Sequence, residues 1–244
     1  MGLFVIEDFT TSCGVRVPAL RVYYQTFGLP LGSAPVVVVN HAFTGNSEVA
    51  GEKGWWGAAI GDHKVIDTLK YTVIAFNIPG NGYMGTEADM ITNYQHWEAI
   101  DVARIFNYGL QVHFQLQQIF ALVGCSLGGG IAWEMAALAP ELFQHLVIVA
   151  ADWKATDWII GNCLLQEQIL KNSNNPLHDA RLHAMLCYRT PLSLKMKFER
   201  TTHAVSQLYN VESWLLHHGE KLHKRFSLTA YKLMNQLVKT IDIS

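Results

Sequence analysis

Residues 118–132 read QIFALVGCSLGGGIA, an apolar run that leads into a glycine-rich turn. Gly124, Ser126 and Gly128 fit the pattern Gly-x-Ser-x-Gly, which in many enzymes places a serine on a sharp turn between a strand and a helix. The glycines leave room for the neighbouring backbone, so the serine hydroxyl stays accessible. The stretch therefore predicts a strand, a nucleophile elbow at Ser126 and a helix.

Glycine-rich turns also hold phosphate groups, or serve close packing alone. A phosphate-binding loop needs Lys followed by Ser or Thr after its glycines, but Ile131, Ala132 and Trp133 stand there. The spacing of a dinucleotide-binding Gly-x-Gly-x-x-Gly turn is missing as well. The nucleophile is therefore preferred, and a turn used only for packing is the remaining alternative.

Short apolar runs rich in β-branched residues occur on both sides of the elbow. Because they lack polar alternation, we expect strands buried on both faces, as in a parallel sheet. These runs span residues 36–39, 71–76, 118–123 and 146–150, and helix-sized segments lie at residues 62–70, 95–110 and 129–138. The alternation of strand and helix predicts a doubly wound α/β sheet, with residues 15–27 extended near one edge.

The pattern changes after Asp152, where only helical spacing follows. Helices are predicted over residues 153–171, 177–188, 193–210 and 212–241. The sequence therefore predicts an α/β core with the elbow over residues 1–152 and a helical region over residues 153–244.

The composition narrows the class of protein. Half of the 244 residues are hydrophobic and 16% are charged, so the chain must fold. A formal net charge of −2 provides no basic surface for nucleic acid or for an anionic membrane. Four cysteines without a Cys-x-x-Cys pair, and a start that lacks the features of a signal peptide, favour a reducing cytoplasm, no disulfide framework and no metal site.

A serine that attacks a carbonyl needs backbone N–H donors for the oxyanion. Leu127, which follows Ser126, is expected to supply one. The second is expected from the stretch His41-Ala-Phe-Thr-Gly45, which follows the first buried strand. His41 itself is interpreted as a hydrogen-bonded loop histidine rather than a catalytic one.

Several blocks of the sequence resemble the homoserine O-acetyltransferase family, in order from about residue 20 to the last residues. They are residues 41–46 (HAFTGN), 54–56 (GWW), 67–68 (DT), the elbow, 185–190 (MLCYRT), 211–213 (VES) and 219–226 (GEKLHKRF). The resemblance implies an α/β-hydrolase-type, mostly parallel sheet with a helical lid. It also implies acetyl transfer to homoserine, in methionine biosynthesis, through an acyl–Ser126 intermediate. Acetyl-CoA would be a co-substrate, with no permanently bound cofactor.

Further site residues follow from the resemblance alone. The oxyanion N–H of the family loop corresponds to that of Phe43, where the family has Leu, and Thr44 would lie near the amino-acid substrate. The arginine that binds the homoserine carboxylate corresponds to Arg200, although Glu199 stands where the family has Gly. The lid helices would pair two subunits into a homodimer.

The resemblance also implies that three tryptophans of the lid lie beside a substrate tunnel or within the helix packing. Trp153, Trp158 and Trp214 are interpreted as helix-packing core rather than as lining of a tunnel for the pantetheine arm.

The triad of this superfamily runs Ser, then Asp or Glu, then His. The resemblance places the acid and the histidine after the helix that ends near residue 241, so we expect an incomplete sheet without its last strands and a truncated form of the enzyme. Asp152 is the candidate substitute acid. As a substitute base the sequence offers His145, His203, His217, His218 and His223, and no spacing favours one of them.

Three hypotheses remain open from the sequence. The first is a truncated or split homoserine acyltransferase, and the second is a non-catalytic remnant or interaction module. The third is an esterase that uses the same elbow. Within the first, an acetyl or a succinyl donor, and homoserine or serine as acceptor, depend on a few atoms of the pocket.

Overall fold

A computed structural model of the chain describes residues 1–83, 85–205 and 207–244. A six-stranded sheet in the order β1-β2-β6-β3-β7-β8 forms its centre, and β4 and β5 form a separate two-stranded pair. The strands are β1 Gly2–Thr10, β2 Arg16–Gly28, β3 Val36–Asn40, β4 Ile60–Gly61, β5 Ile66–Asp67, β6 Thr72–Phe76, β7 Ile119–Cys125 and β8 Phe143–Val149. The first two neighbouring pairs, β1 with β2 and β2 with β6, are antiparallel, and β6, β3, β7 and β8 run parallel. The mostly parallel α/β sheet is confirmed.

Seven α-helices surround and extend this sheet in the described residues. They are α1 Ala99–Tyr108, α2 Leu127–Leu138, α3 Asp157–Asn172, α4 Pro176–Cys187, α5 Pro191–Phe198, α6 Asn210–His223 and α7 Leu228–Lys239. The main core packs side chains of the sheet against α1, α2 and α7. Helices α3 to α7 follow the sheet within residues 153–244, the predicted lid region; since α7 packs on the main core, α3 to α6 are called the lid below.

The central strands are buried on both faces, which explains why their sequences lack polar alternation. Every residue of β3 and β6 is buried. Val36 and Val38 belong to the main core, whereas Val37 and Val39 belong to a second core on the opposite face. Successive side chains of a strand point to opposite faces, so apolar residues are needed at each position when both faces are covered.

The prediction that residues 62–70 form a helix is wrong. Ile66–Asp67 instead pairs with Ile60–Gly61 as β5 and β4. The Asp67 carboxylate accepts the backbone N–H groups of His63 (3.0 Å) and Leu69 (3.0 Å), which stabilises a turn. A short polar side chain that bonds to nearby backbone groups competes with helix formation.

The prediction of extended chain near a sheet edge at residues 15–27 is confirmed, since β2 is the second strand of the sheet. The edge strand itself, β1, was not predicted. In β1 the exposed Leu3 and Val5 alternate with the buried Phe4 and Ile6, so burial alternates while polarity does not, and the strand gave no clear sequence signal.

Strand β8 was predicted to be buried on both faces, and this is wrong. Val147 is 45% exposed and Val149 is 40% exposed, because β8 is an edge strand with one face uncovered in the described residues.

The helix boundaries bring three further corrections. The helix predicted from residue 95 starts only at Ala99, as α1, after a capping box made by Glu98 and Asp101. The helix predicted over residues 193–210 ends at Phe198, because the next two residues have φ of 47° and 57°. Residues 212–241 form two helices, α6 and α7, and the Ser227 hydroxyl caps the second by accepting the N–H of Ala230 (3.1 Å).

Candidate active site

Ser126 occupies the sharp turn between β7 and α2. Its φ is 53° and its ψ is −123°, a backbone conformation that costs free energy in any residue with a Cβ. The turn is held from both sides: the Ser126 N–H donates to the carbonyl of Val149 (2.9 Å), and its carbonyl accepts the N–H groups of Gly129 (2.8 Å) and Gly130 (3.0 Å). The predicted elbow geometry is therefore present.

The glycines around the elbow allow close approach of neighbouring segments. A Cβ on Gly128 would collide with the carbonyl oxygens of Asn40 and His41, and a Cβ on Gly129 would lie 2.6 Å from the Cβ of Ala151. The first turn of α2 therefore presses against the loop after β3. Glycine is required at these positions for space rather than for φ.

The two predicted oxyanion donors leave the same edge of the sheet. Asn40 at the end of β3 pairs in register with Gly124 in β7, so the loop with Phe43 and the elbow emerge side by side. The N–H of Leu127 lies at the start of α2, where helices leave N–H groups without intrahelical partners. In the described residues neither this N–H nor that of Phe43 has a hydrogen-bond acceptor.

His41 is a structural residue, as expected. Only 1% of it is exposed. Its Nε2 accepts the N–H of Ile78 (3.1 Å), so the proton of the neutral ring lies on Nδ1, which donates to the carbonyl of Ala42 (2.8 Å). Burial lowers the pKa of His41 to about 4, so the ring is neutral at pH 7 and no proton acceptor position is left over for catalysis.

A buried amide network fixes the position of this loop, and sequence reasoning did not identify it. Asn77 and Asn81 donate side-chain N–H groups to each other's oxygens (3.0 and 3.1 Å). The Asn77 oxygen also accepts the backbone N–H of Ser47 (3.1 Å), and the Asn81 amide lies 3.3 Å from Nε2 of His41. Two asparagines flanking Ile78-Pro79-Gly80, directly after a buried strand, are the sequence signal that could have indicated it.

Ser126 opens into a cavity of about 350 Å³. It is lined by Ser126, Leu127, Ala150, Ala151, Asp152, Lys154, Ala155, Thr156, Trp158, Ile159, Val238 and Ile241. The cavity thus brings together the proposed nucleophile, one oxyanion donor and the candidate acid. The exposed carboxylate of Asp152 accepts the N–H of Trp153 (3.0 Å).

The floor of this cavity is built by the last residues of the chain. The carbonyl of Ile241 accepts the N–H of Ala155 (2.8 Å), and Lys154 forms an ion pair with Asp242 (3.0 Å). The buried carboxylate of Glu134 accepts the N–H of Asp242 (3.0 Å), and burial raises the pKa of Glu134. Helix α2 and the segment at 241–242 are therefore held together beside Ser126.

The tryptophans of the lid are only partly helix-packing core. Trp158 is 73% exposed and lines the Ser126 cavity, and Trp153 is 46% exposed. The interpretation as packing core is wrong for these two: Trp158, in the first turn of α3, lines the cavity instead, and Trp153 precedes α3 and is exposed. Trp214 is half-buried against Phe198 (5.5 Å between ring centres) in a different cleft.

Thr44 is held by a residue that the site prediction left out. The guanidinium of Arg225 donates to the carbonyl of Thr44 (3.0 Å) and to its hydroxyl (3.3 Å). Burial lowers the pKa of Arg225, although a guanidinium stays charged at neutral pH. The lid is thereby fixed to the loop after β3, and Arg225 lies in the block 219–226 that carried the resemblance.

The structure does not bring Arg200 to this cavity. Arg200 is exposed, has a φ of 57° and lies with its guanidinium 5.9 Å from the ring centre of Tyr209. It lines a separate pocket with Leu194, Phe198, Thr201, Tyr209 and Val211. Its role in binding a carboxylate remains a prediction.

None of the histidines lines the Ser126 cavity. His145 lies on β8 with its ring 5.0 Å from that of Phe120, and His217 and His218 belong to α6 of the lid. In the part of the chain that the structure describes, the Ser126 hydroxyl has no hydrogen-bond partner. A Ser–His pair is not formed by these residues.

Neither a metal-binding cluster nor a membrane-spanning helix is found in residues 1–83, 85–205 and 207–244. No group of three or more His, Cys, Asp or Glu side chains is arranged to hold a metal ion there. No helix in those ranges has the length and apolar character needed to span a bilayer.

Known proteins resemble this chain in sequence and in fold. A family profile for the alpha/beta hydrolase fold matches residues 35–200. A homoserine O-acetyltransferase of Chlorobium chlorochromatii is 28% identical over 98% of this chain and 73% of its own length. A homoserine O-succinyltransferase of Marinomonas is 31% identical over 95% of this chain and 70% of its own length. The crystal structure of homoserine O-acetyltransferase from Staphylococcus aureus superimposes with a TM-score of 0.82 at 25% identity, over 100% of this chain and 72% of that one.

Proposed function

Since the chain belongs to the homoserine O-acyltransferases of the α/β-hydrolase family, we propose that it transfers an acetyl group from acetyl-CoA to the hydroxyl of L-homoserine through an acyl–Ser126 intermediate. The observation that carries the proposal is the elbow: Ser126 at a φ of 53° opens into a cavity beside an unused N–H. Acyl transfer through serine needs that combination of nucleophile and oxyanion donor.

The reaction would run in two steps. The Ser126 oxygen attacks the thioester carbonyl, the N–H groups of Leu127 and Phe43 bind the oxyanion, and the CoA sulfur leaves and takes a proton. The homoserine hydroxyl then attacks the acyl-serine, the ester bond to Ser126 breaks, and the serine oxygen regains its proton. O-acetylhomoserine is released. Each step moves a proton through a general base.

The described residues do not place a general base beside the Ser126 hydroxyl. Asp152 lines the cavity and is proposed as the acid that would orient a base. No imidazole lies beside the Ser126 hydroxyl in the described residues, so a base supplied from elsewhere would have to enter the cavity next to Ala150 and Asp152. Without a base the hydroxyl stays protonated and reacts slowly.

Substrate recognition is proposed for two further residues. Thr44, whose loop is tied to Arg225, would contact the amino-acid substrate, and Arg200 would bind its carboxylate. Because Arg200 lines another pocket, this role requires the α5–α6 loop to move toward Ser126 on binding.

A homodimer through the lid is proposed as well. Exposed apolar side chains lie on α3 and α6, among them Leu164 and Leu165 (52% each) and Leu216 (41%). A second copy would cover them. Light scattering of the purified chain tests this: a dimer is expected, and a stably folded monomer contradicts it.

A non-catalytic binding protein is the second candidate, because the Ser126 hydroxyl has no partner among the described residues. Mass spectrometry separates the two. The purified chain is incubated with acetyl-CoA and homoserine, with and without added imidazole, which can replace a missing histidine. We expect O-acetylhomoserine to form faster with imidazole and not at all above background with Ser126→Ala.

Parallel reactions define the chemistry more closely. Succinyl-CoA replaces the donor, serine replaces the acceptor, and an acetyl ester with water tests for an esterase. Product from acetyl-CoA and homoserine that exceeds all three supports the proposal. No acylation of Ser126 under any condition, at any imidazole concentration, contradicts it and favours the binding protein.

A further inference from the structure

The lid contains a cleft that is distinct from the Ser126 cavity and from the pocket lined by Arg200. It is a cleft of about 630 Å³ between α4, α5 and α6. The lining consists of Met185, Tyr188, Arg189, Thr190, Ser193, Lys197, Trp214 and His218. These side chains include two permanent cations, two large aromatic rings and three hydroxyls, and no carboxylate. Nothing in the acyl-transfer step uses them.

The two cations of this cleft share one aromatic neighbour and lack an acidic one. The Arg189 guanidinium lies 5.6 Å from the ring centre of Trp214, and the Lys197 ammonium lies 5.3 Å from it. Arg189 also donates to the Ser193 hydroxyl (3.0 Å). Neither cation has a carboxylate within ion-pair distance in the described residues. Two adjacent unpaired cations repel each other and attract an anion.

The ring of His218 lies among the same positive charges. Its ring lies 4.9 Å from that of Trp214. Burial lowers the pKa of His218, and the nearby charges of Arg181, His217, Lys221 and Lys197 lower it further. The charge is local, because the whole chain carries a formal charge of −2. An anion bound in the cleft would oppose this effect.

We propose that this cleft binds a phosphorylated nucleotide. Arg189 and Lys197 would hold its phosphates, and the rings of Trp214 and Tyr188 would provide a flat wall for its base. A free phosphate would need neither the aromatic wall nor a cleft of this volume. We further assign this nucleotide to the phosphoadenosine end of the acyl-CoA donor, and this assignment rests on the proposed function.

Calorimetric titration with 3′-phosphoadenosine 5′-phosphate tests the site without any acyl transfer. We expect binding that weakens as salt is added, and about tenfold weaker binding for Lys197→Gln and for Arg189→Gln. Lys195→Gln is the matched control: it removes the same charge from the same helix, but Lys195 does not line the cleft. It is expected to leave the affinity unchanged.

Inorganic phosphate and adenosine serve as comparison ligands. Both are expected to bind at least tenfold more weakly than the nucleotide, because each makes only half of the contacts. Equal affinity for phosphate and for the nucleotide would overturn the assignment of a nucleotide and would indicate a simple anion site. If Lys197→Gln and Arg189→Gln both leave the affinity unchanged, or if no binding occurs at low salt, the assignment of the nucleotide to this cleft is overturned. A rise in the pKa of His218 on titration, seen by NMR, is expected if the phosphates lie there.

The acyl-donor assignment has its own test. Transfer from acetyl-CoA is compared with transfer from S-acetylcysteamine, a thioester without the nucleotide. Lys197→Gln is expected to raise KM for acetyl-CoA about tenfold and to leave the short donor unaffected. Nucleotide binding in a chain that acylates from neither donor would keep the cleft and refute the proposed function. Equal effects of Lys197→Gln on both donors would refute the donor assignment alone.

Discussion

Buried polar side chains in the loops after β3 and β6 are hydrogen-bonded within the protein, whereas two cations of the lid helices are not paired with a carboxylate in the described residues. In the loops, His41, Asn77 and Asn81 are buried and bonded to one another or to backbone groups. In the lid, Arg189 and Lys197 stand at a cleft without a carboxylate partner. The first arrangement positions backbone groups before any substrate arrives, whereas the second keeps charge available for a ligand. The two regions therefore differ in whether their buried or clustered polar groups are paired within the protein.

The largest expected effect concerns Ser126, at the turn between β7 and α2. Ser126→Ala removes the nucleophile, and the rate of acyl transfer should fall about 10⁴-fold or more. Ligand binding and the thermal unfolding temperature should change little, since the hydroxyl makes no hydrogen bond in the described residues. Residual transfer within tenfold of the original rate would mean that another group attacks the donor.

Two glycines compare the packing density beside the loop after β3 with that of the lid. Gly128→Ala places a Cβ against the carbonyl oxygens of Asn40 and His41 and should lower the free energy of unfolding by about 3 kcal/mol. Gly161→Ala, inside α3 with nothing within 4 Å, should instead raise it by about 0.5–1 kcal/mol. Urea denaturation measures both. Equal effects at the two positions would remove the contrast.

His41 should make the free energy of unfolding of the protein depend on pH. The unfolded chain takes up a proton at this ring near pH 6.5, but the folded chain does so only near pH 4. Between these values the unfolded state binds more protons, so the free energy of unfolding rises with pH, by about 3 kcal/mol in total. The contribution is complete above pH 6.5 and is lost as the pH falls to 4.

Urea denaturation at a series of pH values measures this slope. His41→Gln should flatten it, whereas His223→Gln, at an exposed histidine of the lid, should leave it unchanged. An unaltered slope in the first variant would assign the pH dependence to other groups.

The smallest effect is expected where the two regions meet. Arg225→Gln removes the hydrogen bonds to Thr44 and should cost about 1 kcal/mol, seen as a rise of about fivefold in KM for homoserine. Lys224→Gln is the neighbouring control, because this lysine is 70% exposed and forms an ion pair with the exposed Glu220. An unchanged KM in the Arg225 variant would mean that the loop holds its position without the lid.

Local patterns in the sequence were sufficient for the elbow and the central strands. The glycine spacing around Ser126 depends on neighbours within two residues, and the runs 36–39 and 71–76 need only their own apolar character. The resemblance also directed attention to residues 219–226, where Arg225 lies. Features decided by short-range geometry could be predicted in this way.

The rest required residues that are far apart in the chain. The edge position of β8, the pairing of β4 with β5 and the contact of Arg225 with Thr44 each depend on which segments meet. The cationic cleft is formed by three helices whose charges look like ordinary surface charges in the sequence. Sequence alone determined the sharp turn at Ser126 and the kind of sheet, because both depend on local backbone and periodicity. Tertiary structure decided which charges are left unpaired, since that depends on the distances between separate helices.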